Sequence, residues 1–292
     1  MDWFTLAFIS AIFSAASAVS EKKVLFSLNV LDFSLIVSFV TCLLSVPFFF
    51  SIQLSEISYV SLSILFLKTV LSAGAFLSVM YSIKNLEISE ALPLLALSPG
   101  LVAIAGVIFI NDILVLTEWI GIILMVIGAY VLELRKEKNN FLAPFKALFS
   151  FSKYSYVFIA LFLFTVTSLL DRVLLKGYKL PPYSFMAFQQ LFYVLIFSFI
   201  VMWKRRNIVE QIKNFDKKIF YLLMAISFFT VIYRYTQIEA TKLAPVAMVL
   251  SVKRLSILIA VVSGGKLFNE ENLPRKIVAV IIILIGAALL LK

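Results

Sequence analysis

Long apolar runs alternate with short polar breaks along almost the whole chain. Reading runs against breaks predicts ten helices, at about 3–20, 31–52, 57–83, 88–110, 115–134, 154–175, 183–203, 219–238, 245–262 and 273–291. Most approach the roughly 20 apolar residues that a helix needs to cross the hydrocarbon core of a bilayer. The breaks are short, so one compact helical bundle is expected. The exception is a basic, Asn- and Pro-containing linker at 135–153, which separates a first half at 1–134 from a second at 154–292.

Composition turns these helices into membrane spans. The chain is 62% hydrophobic and 14% charged, with a mean hydropathy of +1.05, against about 45–50% and about 25% in a soluble domain. The fold class is therefore all-α integral membrane. Its 29 Phe and 11 Tyr suit lipid-facing surfaces and interfacial belts. Phe48-Phe49-Phe50, Phe228-Phe229, Tyr81 and Tyr130 are read that way.

A formal charge of +10 does not imply a nucleic-acid partner, because the cations sit in short loops between helices. With no His and a single cysteine, Cys42, neither a disulfide nor a transition-metal site is expected. Nucleotide loops and paired acids within the apolar runs are lacking too. No cofactor is expected, and the chain does not read as an enzyme. Residues 4–13, followed by Ser14-Ala15-Ala16-Ser17-Ala18, imitate a signal peptide. No basic residue precedes them and many spans follow, so they read as a first transmembrane helix with a small-residue packing face.

The halves repeat. Ile127-Gly128-Ala129 matches Ile285-Gly286-Ala287, and Asn111-Asp112 matches Asn269-Glu270. Tyr81-Ser82 resembles Tyr235-Thr236, and Glu21-Lys22 resembles Asp171-Arg172, in the same order. Five spans per half would insert the second copy upside down. The expected architecture is two inverted five-helix repeats, the arrangement of secondary transporters, with a substrate site near the midplane. Most of the 26 Lys and Arg fall in the loops after odd-numbered spans, among them Lys22, Lys23, Lys84, Lys204 and Lys276. The positive-inside rule then puts those loops in the cytoplasm and both termini outside.

Charge inside the spans marks the candidate site. Lys253-Arg254 interrupts the ninth run, Lys68 lies in the third, and Arg234 lies in the eighth between Tyr233 and Tyr235. Each needs a partner, a cavity or a route to the interface. Neighbours on a helix point about 100° apart, so Lys253 and Arg254 can approach one ligand from adjacent sides. The alternatives are a buried pair with Glu239 or Asp171 for these two, snorkelling for Arg234, and a structural role for Lys68 near Ser72. Gln189 and Gln190 are able to orient a ligand or to bond between helices. Pro93, Pro99-Gly100 and Pro245 loosen backbone bonds and mark bending points.

Two five-helix repeats, each with an acid-bearing turn before a final helix carrying Gly-Ala, resemble the drug/metabolite transporter superfamily, specifically its EamA-like branch. The most specific segments are Ser251-Val252-Lys253-Arg254-Leu255-Ser256 and Gly264-Gly265-Lys266-Leu267-Phe268-Asn269-Glu270. The linker segment Ala143-Pro144-Phe145-Lys146-Ala147-Leu148 is also similar. Val252-Lys253-Arg254 resembles the triose-phosphate and nucleotide-sugar translocators as well, and that resemblance implies a phosphate-binding role for Lys253 and Arg254. Two features depart from the EamA-like pattern. Val37-Ser38-Phe39 stands where many members carry an arginine, and the resemblance implies cytoplasmic termini, against the charge rule.

The expected function is secondary transport of a small anionic or zwitterionic metabolite by alternating access. Lys253, Arg254, Arg234, Lys68, Gln190 and Tyr235 are the candidate substrate-binding residues. Proton-coupled export of cationic drugs is the alternative; it is opposed by the cations and by the lack of a mid-helix acid before Glu21. A non-transporting scaffold would instead scatter the deep cations into local ion pairs. The expected partners are a small-molecule substrate and the lipid bilayer, with a homodimer compatible, and the expected location is a prokaryotic plasma membrane.

Overall fold

The computed structural model describes residues 2–50, 52, 57–110, 114–133, 151–205, 216–243, 249 and 252–289. All regular structure among them is helical. The first half contains α1 (Trp3–Leu25), α2 (Val30–Leu44), α3 (Val46–Phe49), α4 (Tyr59–Asn85), α5 (Ile88–Leu95), α6 (Ser98–Ile110) and α7 (Leu116–Glu133). The second contains α8 (Phe151–Arg172), α9 (Pro182–Trp203), α10 (Lys217–Leu243), α11 (Leu255–Leu267) and α12 (Leu273–Leu289). Against ten expected crossings, six segments among the described residues are long and apolar enough to span a membrane, with α5 and α6 counted together over Ile88–Ala105; Val30–Leu44, Leu116–Leu132 and Leu255–Leu267 are apolar but shorter. The expected linker falls outside the described residues apart from its last three, which open α8. Asn111, Asp112 and Pro245 fall outside as well.

Local chemistry sets the helix ends. Asn29 caps α2 by accepting from the Leu31 amide at 3.0 Å, and Ser58 caps α4 by accepting from the Ser61 amide at 3.0 Å. Pro181 and Pro182 start α9, where a fixed φ helps and the missing amide costs nothing. The fourth run breaks into α5 and α6 at a turn over Ala96-Leu97, just before Pro99, while Pro93 lies inside α5. Proline removes a donor and clashes with the preceding turn, so the break follows from sequence. Asn269 adopts a φ of 52° in the turn before α12, a left-handed conformation that Asn tolerates. Within α2 and α4, Ser34, Ser38, Ser78 and Ser82 donate to carbonyls one turn back, at 2.6–2.8 Å. Hydroxyls surrounded by apolar material are thereby satisfied inside their own helix.

The core lies between the halves. Its main cluster joins Leu25, Phe33, Ile83 and Ile88 of the first half to Tyr154, Leu161 and Ile226 of the second. The most extensive packing pairs are α7 with α12, α1 with α10, α4 with α8 and α2 with α9. In every one, a helix of one half lies against a helix of the other. Small residues permit the closest approaches: Ala7, Ala11 and Ala15 of α1 are buried, and Ser10 Oγ donates to the Tyr233 carbonyl at 2.8 Å.

The α7–α12 contact depends on two glycines. A Cβ on Gly286 would lie 2.6 Å from the Gly121 carbonyl oxygen and 2.8 Å from Met125 Cγ. A Cβ on Gly128 would lie 2.5 Å from Ile283 Cγ1 and 3.0 Å from the Ala279 carbonyl oxygen. One displacement along the chain carries Gly128 to Gly286, Gly121 to Ala279 and Met125 to Ile283. Each half therefore makes the same contact on the other.

At one end of the bundle, Glu270 ties the turn before α12 to α1 and α5. Its carboxylate accepts from the amides of Ile88 at 2.6 Å and Ser89 at 3.0 Å, and from Ser89 Oγ. Lys22 Nζ donates to the same carboxylate at 3.2 Å and to the Leu86 carbonyl at 2.8 Å. Nearby, Lys276 pairs with Glu87 and reaches Glu90 at 4.0 Å.

Candidate functional site

A polar cavity of about 390 Å³ opens among α1, α4, α5, α8, α9 and α10. The first helix contributes Ser14, Ser17, Ala18 and Glu21, which fall at i, i+3, i+4 and i+7 and so share one face. Lys68, Ser72 and Phe76 come from α4, Thr167, Ser168 and Asp171 from α8, Gln189 and Tyr193 from α9, and Tyr233 and Arg234 from α10. A smaller void of about 60 Å³ adjoins it. This void shares Glu21, Phe76, Tyr193, Tyr233 and Arg234 with the cavity and adds Ser38, Thr41 and Gln190.

Charge in the cavity has both signs. Lys68, buried in α4, pairs with Asp171 Oδ1 at 2.9 Å and lies 4.7 Å from the Phe185 ring centroid. Holding this ammonium inside apolar helices requires such partners. A single π-turn, Val173–Gly177, ends α8 directly beyond Asp171. Glu21 accepts from Ser17 Oγ at 2.8 Å, one turn earlier on the same helix. Arg234 lies with its Cζ 5.8 Å from the Tyr233 ring centroid. The cavity thus presents a guanidinium and a carboxylate beside one lysine–aspartate pair.

Of the six residues expected at the site, Lys68 and Arg234 line the cavity and Gln190 lines the adjoining void. Lys253 lines neither space: its Nζ is 4.9 Å from the Tyr233 ring centroid and donates to Gln237 Oε1. Arg254 lines neither space. It borders a separate cavity between α11 and α12 with Leu255, Leu258 and Ile281. Tyr235 is 41% exposed and stacks on Phe48, ring centroids 5.8 Å apart. The deep cations do not all converge on one space, nor do they all disperse into ion pairs.

Two acids complete the set. Asp171, weighed from sequence as a partner for Lys253-Arg254, pairs with Lys68 instead. Glu21, read as the end of a span stopping at residue 20, lies within α1, which continues to Leu25. Charge does not end a helix: Lys22, paired with Glu270, and the exposed Lys23 both lie in its last turn. Glu21 and Asp171, the acids matched between the two halves in sequence, both line the same cavity. Glu239, the other acid considered, accepts from the Tyr183 hydroxyl.

A crystal structure of another protein superposes with a TM-score of 0.62 at 12% identity, covering 98% of this chain and 95% of its own. That likeness concerns the fold alone. No curated protein matches the chain by sequence. The family model of EamA-like transporters matches residues 1–134 and 151–292, which together make up nearly the whole chain. An all-helical bundle of apolar helices around a charged cavity agrees with that match, and the chain belongs to the EamA-like transporter family.

Proposed function

We propose that this membrane transporter is a secondary carrier that moves a small zwitterionic or anionic metabolite by alternating access. The observation that carries the reading is the cavity itself. Both halves wall it, its volume of about 390 Å³ falls within the ~300–1,000 Å³ common for small-molecule sites, and Arg234 and Glu21 line it together. Arg234 takes the substrate carboxylate or phosphate with its planar fork of donors. Glu21 takes the ammonium of a zwitterion. Lys68, engaged by Asp171, sets the local field and shapes the wall.

Ten crossings in two inverted five-helix repeats, at 1–134 and 154–292, belong to this proposal. The reciprocal Gly128 and Gly286 contacts support it, as does the pairing of helices across the halves. Inverted halves that enclose one site supply the two exchangeable access routes of a rocking carrier. Loop charge supports cytoplasmic placement of the end that holds Lys22, Lys84 and Lys276.

Export of organic cations gains one observation, the carboxylate of Glu21 in the cavity wall. Lys68 and Arg234 in the same wall oppose it by repulsion. Uptake into proteoliposomes distinguishes the two. Amino acids or carboxylates should be carried by the parent protein and lost in Arg234→Ala. Lipophilic cations carried equally by both would overturn the proposal.

A further inference from the structure

The cavity beside Arg254 has a volume of about 280 Å³ and shares no lining residue with the central one. Its wall is aliphatic, with Leu258 of α11 facing Ile281 and Ile285 of α12, and Arg254 supplies its charge. Ile281 and Ile285 are 41% and 52% exposed, which in a membrane protein means contact with acyl chains. Among the described residues, no acidic side chain pairs with Arg254. The adjacent Lys253 is held by the Tyr233 ring and the Gln237 carbonyl, and neither partner cancels its charge.

We infer that Arg254 and this groove bind an anionic membrane phospholipid. The guanidinium accepts the headgroup phosphate through two parallel N–H donors, and one acyl chain lies along Leu258, Ile281 and Ile285. An arginine in apolar surroundings requires a counter-charge, and the bilayer contains one attached to the hydrocarbon that the groove fits. A net negative headgroup complements Arg254, whereas a zwitterionic headgroup brings its own cation. A small soluble anion would satisfy Arg254 and leave the aliphatic wall unfilled. The inference is independent of the substrate site, since Arg254 lines no part of the central cavity.

The test is the thermal midpoint of delipidated protein in detergent with dioleoyl phosphatidylglycerol, dioleoyl phosphatidylcholine or glycerol 3-phosphate. Phosphatidylglycerol at ten times its Kd should raise the midpoint by about 3 °C, by mass action on the folded state. Phosphatidylcholine and glycerol 3-phosphate should not. The rise should vanish in Arg254→Gln and in Ile285→Trp, which fills the groove with the arginine intact, and should persist in Arg234→Gln. Equal rises with both lipids, a rise with glycerol 3-phosphate, or a phosphatidylglycerol rise that survives in Arg254→Gln would each overturn it. If Arg254→Gln does not fold, an undiminished rise in Ile285→Trp overturns it by itself.

Discussion

Replacing Glu270 with alanine removes one carboxylate that serves two structures at once. The amides of Ile88 and Ser89 lose their acceptor at the start of α5, and Lys22 loses the anion 3.2 Å from its ammonium. A lost cap costs about 0.5–2 kcal/mol. A charge left unpaired after one partner of a buried pair is removed costs about 3–5 kcal/mol. The side chains of Lys22 and Glu270 are 6% and 3% exposed, so the buried figure applies. The two losses share one group and do not sum; about 4 kcal/mol is expected. That is a large part of the ~5–15 kcal/mol by which folded domains exceed their unfolded states. Thermal unfolding in detergent, followed by tryptophan fluorescence, should show a midpoint lower by about 10 °C. The decisive comparison adds Lys22→Met. With the stranded ammonium gone, the double variant should recover about 2 kcal/mol relative to the sum of the single losses. If the two losses add to within about 0.5 kcal/mol, the carboxylate and ammonium are not coupled and the reasoning fails.

Gly286→Val should destabilise by about 1–3 kcal/mol or more, because its Cβ would meet the Gly121 carbonyl oxygen and the Met125 amide within 3 Å. Gly177→Ala, with nothing within 4 Å of the added carbon, is the matched neutral control in the same melting assay. Lys68→Met should abolish uptake and lower the midpoint by leaving Asp171 unpaired. Adding Asp171→Asn should restore much of the stability and none of the transport, and recovery of both would remove the pair from the site. Ser10→Ala should cost about 1 kcal/mol through the lost bond to the Tyr233 carbonyl, read from the shift in the unfolding midpoint.

The helices are legible in the sequence because an apolar run of spanning length has few other uses, and the break before Pro99 because proline cannot continue the hydrogen-bond ladder. The repeated Gly128 and Gly286 are legible as a motif, although their mutual packing emerges only in three dimensions. Side-chain direction is the part that could not be read. About 100° separates adjacent residues on a helix, enough for Tyr233 to hold Lys253 while Arg254 turns to the α11–α12 groove. Glu21 was obscured for a different reason. Glu21-Lys22-Lys23 resembles the polar end of a span, and the carboxylate that neutralises Lys22 lies in a turn 248 residues away. The helical spacing of Ser14, Ser17, Ala18 and Glu21 was the available signal.

Charge balance in the cavity decides how the membrane potential acts on a carrier of this kind. At their formal charges, Lys68, Arg234, Glu21 and Asp171 give the wall two cations and two anions. Reorienting the empty site then moves no net fixed charge through the field. At those formal charges a zwitterionic cargo adds no net charge to the site. A monoanion carries one charge across, worth about 2.3 kcal/mol for every 100 mV. An interior-negative potential opposes entry of such an anion and favours its exit.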